Sequence, residues 1–72
     1  MNSSDLKSQS NYKVVISIIG DLDKKSVAKI NSNGFSIDWQ SKTITGILHW
    51  DQTAIYRMFD DTLSLVSAVE IN

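Results

Sequence analysis

The sequence predicts an α+β fold, and two observations carry that prediction. Apolar residues alternate with polar ones, or run as β-branched clusters, in four segments of the 72-residue chain, and they fall three or four apart in two others. The segments follow the order β-α-β-β-α-β, and Gly, Asn or Asp stands at most of the boundaries.

Each element has its own reason. Lys13 to Ile19 is dominated by Val and Ile and ends at Gly20, so it reads as the first strand. Asp23 is a good helix N-cap, with Leu22 before it placed to staple against Val27. Val27 and Ile30 share one helical face, Lys24, Lys25 and Lys29 the other, and Asn33-Gly34 supplies a left-handed stop. Phe35 to Trp39 alternates, placing Phe35, Ile37 and Trp39 on one face of a second strand. Gln40-Ser41-Lys42 is short enough for a hairpin turn. Thr43 to His49 reads as the third strand, with Ile44, Gly46 and Leu48 on one face and Thr45, Ile47 and His49 on the other. Gly46 is a poor strand former whose use is to admit a bulky group close to the backbone. Asp51, with Trp50 before it and Ile55 after it, repeats the first helix signal and predicts a second helix burying Ile55, Met58 and Phe59. Asp60-Asp61-Thr62 ends that pattern, and Leu63 to Ile71 reads as the fourth strand.

Two split βαβ halves of this length build a ferredoxin-like βαββαβ sandwich, a four-stranded antiparallel sheet with two helices on one face. Right-handed crossovers place the first and third strands in the centre. The helix-facing layer is then Val14, Ile16, Ile18, Val27, Ile30, Phe35, Ile37, Ile44, Leu48, Ile55, Met58 and Phe59. Val15, Ser17, Ser36, Asp38, Thr45, Ile47 and His49 are left on the open face. Residues 12–72 form a single domain behind a disordered lead, residues 1–11, that holds Leu6 as its one apolar residue after Met1.

Composition narrows the function classes. Seven Lys and Arg against eight Asp and Glu leave a net charge of −1, which offers no broad positive field to nucleic acid or to an anionic membrane. No apolar run approaches a membrane span, and no secretory signal opens the chain, so a cytoplasmic protein is expected. The absence of Cys fits a reducing compartment. One His and no Cys cannot build a tetrahedral metal site, and neither metal nor cofactor is expected. His49 is the one neutral-pH base, and Asp51 beside it is better used as a helix cap, so no catalytic constellation forms and no enzyme is expected. An RNA-recognition sheet needs stacking aromatics on its central strands, where this chain carries Val and Ile.

Two resemblances bear on function. The stretch Thr43-Ile-Thr-Gly-Ile-Leu48, the segment bearing Ile55 and Phe59, and Val66-Ser-Ala-Val-Glu70 together resemble the subtilisin propeptide and inhibitor I9 family. The last of these matches the family's Val-x-x-Val-Glu-like signature, and the likeness covers Tyr12 to Asn72. It implies a non-catalytic protein-binding module, an inhibitor or folding chaperone of subtilisin-like serine proteases. Such a module lays its open sheet face on the enzyme and sends its C-terminal end into the cleft. Glu70 carries over as the acidic residue at the start of that end, and only Ile71 and Asn72 follow it, a departure from the family's longer tail. Strand phase adds Val15, Ile47 and His49 as the docking patch. Gly20-Asp21-Leu22-Asp23 is an echo of the turn that opens the first helix of ACT modules, without its Pro. That points to the alternative, a small regulatory or oligomerisation domain that binds a small ligand or self-associates through edge strands. The expected partner is a protein, and the expected state a monomer or weak homodimer.

Overall fold

The computed structural model describes residues 9–59 and 61–71. Strand β1, Tyr12–Ile18, is the organising element, because it pairs antiparallel with β3, Thr43–Leu48, on one side and β4, Leu63–Glu70, on the other. Strand β2, Ser36–Asp38, adds to the far side of β3, giving the order β2-β3-β1-β4 with every neighbour antiparallel. The first and third strands are therefore central, as the crossover rule requires.

Among the described residues the one extended helix, α1, spans Lys24–Ser32. Its start follows from Asp23, whose carboxylate accepts the Ser26 N–H at 2.7 Å and satisfies one of the orphan donors of the first turn. Its end is equally specified. Gly34 at φ 85° turns the chain, its N–H donates to the Asn31 carbonyl, and the Phe35 N–H reaches back to the Ile30 carbonyl. The Asn33 side chain adds a 2.7 Å bond to the Lys29 carbonyl.

The stop delivers Phe35 onto β3. A Cβ built on Gly46 would lie 2.5 Å from the Phe35 ring, so the expected use of this glycine is observed. Around that contact, Val14 and Ile16, Ile44 and Leu48, and Leu63 and Leu65 form the sheet's buried layer, covered by Ile30, Ile55 and Phe59. Tyr12 closes one end. Ile18, Ile37 and Met58 pack at its margin, while Val27 is only half-buried.

The expectation of a ferredoxin-like sandwich with two helices is not met. The second crossover holds only a single helical turn, Thr53–Tyr56, leaving, among the described residues, a four-stranded antiparallel sheet with one full helix. Asp51 does not cap it. Gln52 occupies the N-cap position, with no side-chain bond into the turn, and its amide oxygen instead accepts the His49 N–H at 2.9 Å. Of the four residues that follow, Thr53, Ile55 and Tyr56 are weak helix formers and only Ala54 is a strong one. Beyond them Met58 and Phe59 donate to carbonyls three residues back, tightening the chain rather than extending a helix. Packing holds this segment: Ile55 and Phe59 are buried, and the Tyr56 and Phe59 rings meet edge-on at 5.9 Å.

One further departure has its cause in local chemistry. Trp39, expected on the core face, is 57% exposed, because β2 ends at Asp38. The Asp38 carboxylate accepts the Gln40 and Ser41 N–H groups and bends the chain away from the sheet. The lead expected over residues 1–11 falls largely on residues 1–8, which lie outside the described residues; next to them Ser10 is buried and the Asn11 carbonyl accepts the Ile71 N–H.

Candidate functional site

Strand pairing places two open-face residues side by side. Lys13 sits opposite Ile47, and Val15 opposite Thr45, so Val15 and Ile47 are diagonal neighbours on the face turned away from the core. Both are half-buried, whereas Lys13 and Thr45 around them are exposed. No element covers this face among the described residues.

A bulge in β4 enlarges the patch. The register with β1 slips between Val15 and Ile16: Ser67 faces Val15, Leu65 faces Ile16, and Val66 has no opposite residue. The slip lets Leu63 and Leu65 point to the core while Val69, opposite Lys13, falls on the open face. Val69 is 63% exposed and Val66 54%. One row across the sheet therefore reads Val69, Lys13, Ile47, an apolar strip with a single cation at its centre.

The other expected site residues do not join this strip. His49 lies one residue beyond the end of β3, exposed, with its N–H turned to Gln52. Glu70 pairs with Tyr12, whose side chain is in the core, so its phase is that of the helix side, at an exposed rim. Ile71, 45% exposed, is tied by its N–H to Asn11 at the same end of the sheet. Asn72 lies outside the described residues. The end of β4 and the open face thus adjoin, but Val69 rather than Glu70 links them. Val69 is not among the expected site residues: the sequence alone assigns no face along the fourth strand, and the bulge inverts its alternation, so only a signal for the bulge itself would have found it.

A second feature lies at the opposite end of β1. A groove of about 530 Å³ runs between the β1–α1 loop, with Asp21 and Leu22, and the β2–β3 turn, with Trp39 and Lys42. Ile18 and Ile19 complete its apolar lining.

Electrostatics at the two turns is local. Hydrogen bonds from the Ser26 N–H and hydroxyl hold the Asp23 carboxyl below its ordinary value, and those from the Ser41 hydroxyl and N–H do the same for Asp38. Burial raises the Tyr56 phenol, with Tyr12 nearby adding to the effect. Among the described residues no three His, Asp or Glu side chains gather into a metal-holding group, and no helix is long and apolar enough to cross a membrane. The chain matches no protein-family model, no curated protein and no solved structure.

Proposed function

We propose that the chain is a non-catalytic protein-binding module that docks on a subtilisin-like serine protease through its open sheet face and the adjoining end of β4. The observation that carries this reading is the uncovered Val69–Lys13–Ile47 row, with Val15 beside it. The resemblance of Val66 to Glu70 to the propeptide and inhibitor I9 signature supplies the class of partner. A rigid sheet presents such a surface preorganised, so little entropy is lost on docking. The exposed end of β4 can extend main-chain pairing into a cleft that accepts strands. Titrating the chain into subtilisin tests the reading: peptide hydrolysis falls at micromolar concentrations, and an unchanged rate rejects direct inhibition.

A second reading rests on the edge of β4. Among the described residues this eight-residue strand pairs only with β1, and it carries no Lys, Arg or Pro to discourage another strand. Two copies joined edge to edge would be dimers in sedimentation, and Val66→Lys would return them to monomers. A wild type that sediments as a monomer at high concentration removes this alternative.

A further inference from the structure

We propose that the groove at the far end of β1 binds the free C-terminus of a peptide whose last residue is bulky and apolar. It is a different surface from the open sheet face, so the proposal stands or falls separately from protease docking.

Size and lining set the class of occupant. The groove, about 530 Å³ and open to solvent along one side, has room for the last side chain of a peptide rather than for a wholly enclosed ligand. Its apolar members are unusually open: Ile19 is 58% and Trp39 57% exposed, and Leu22 stands across from the indole on the loop side. A bulky aliphatic or aromatic side chain would cover this surface and release the water on it.

Charge sets the orientation. Lys42 and Asp21 line the two sides of the groove, both exposed, and neither side chain has a partner among the described residues. A terminal carboxylate suits the lysine ammonium, and the amide N–H groups that precede it suit the aspartate. A peptide C-terminus carries this pair of groups next to one side chain.

Backbone geometry marks Lys42 further. It adopts φ 55°, in the left-handed region where glycine or asparagine is at home and lysine is strained. Its carbonyl accepts the Ile18 N–H at 2.9 Å, an interaction any residue could supply. The turn is thus served by the backbone of this position, and its side chain is free to serve the groove. Glycine would hold the turn with less strain and leave the groove without its cation.

The test uses the full chain and a dye-labelled hexapeptide ending in Leu-carboxylate, read by fluorescence anisotropy. The peptide should bind saturably. Its C-terminal amide should bind about fivefold more weakly, the upper end of what an exposed ion pair contributes. Lys42→Gly should abolish that difference while melting at or above the wild-type temperature, and Trp39→Ala should weaken acid and amide alike. No saturable binding at millimolar protein, equal binding of acid and amide, or discrimination that survives Lys42→Gly would overturn the proposal. So would displacement by N-acetyl-leucine at the peptide's own affinity, which would make this a small-carboxylate site. Lys42→Gly leaves the open face intact, so inhibition of subtilisin by this variant separates failure here from failure of the docking surface.

Discussion

Two crossovers of this chain begin alike and end differently. Each has an apolar residue, an aspartate and a second apolar residue in the same order: Leu22, Asp23 and Val27 in one, Trp50, Asp51 and Ile55 in the other. Only the first becomes a full helix. Asp23 bonds the Ser26 N–H, and Lys24, Lys25, Ala28 and Lys29 then continue a turn that is already started. In the second crossover Gln52 takes the place of the cap and clamps the segment instead, accepting from the His49 N–H and donating to the Asn33 carbonyl at 3.3 Å. The chain then makes a single turn, held by Ile55 and Phe59 in the core. A cap nucleates a helix only where the next residues favour one; elsewhere burial decides the shape.

If burial governs the second crossover, Phe59→Ala is the most damaging change there, costing about 3–5 kcal/mol by chemical denaturation. A loss near zero would mean that this segment does not cover the core. Gly46→Ala strikes where the first crossover meets the sheet: its Cβ would collide with Phe35, at a cost of about 1–3 kcal/mol. The caps come next. Asp23→Ala should lower the melting temperature and Asp51→Ala should leave it unchanged; equal effects would erase the distinction between the crossovers.

Acid sharpens the same contrast. The folded Asp23 carboxyl titrates below its ordinary value of 3.8, chiefly through the Ser26 N–H bond. Its contribution is therefore complete above that value and disappears as pH falls through the folded pKa. The gap in melting temperature between wild type and Asp23→Ala should close in strong acid. Lys25→Ala, on the exposed face of α1, is the smallest change and should be silent in a melt.

Much of the sheet was legible because strand phase needs only a period of two. Val14 with Ile16, Ile44 with Leu48, and Phe35 across Gly46 fell where alternation put them, and Val15 and Ile47 faced outward for the same reason. Features that depend on one side chain overruling a pattern were not legible. Asp38 ended β2 early and exposed Trp39, Gln52 displaced Asp51 as cap, and the Val66 bulge turned Leu63 and Leu65 inward and Val69 outward. The candidate site was half legible on the same terms: its β1 and β3 members follow alternation, its β4 member follows the bulge, and His49 and Glu70 fall outside it.

The open face is tested most directly by measuring inhibition of subtilisin by the wild type and by Val69→Asp. Val69 is 63% exposed and outside the core, so this variant should fold with an unchanged melting temperature. The wild type should slow peptide hydrolysis at micromolar concentrations and Val69→Asp should not. Equal inhibition by both chains, or none by either, would contradict docking through this face.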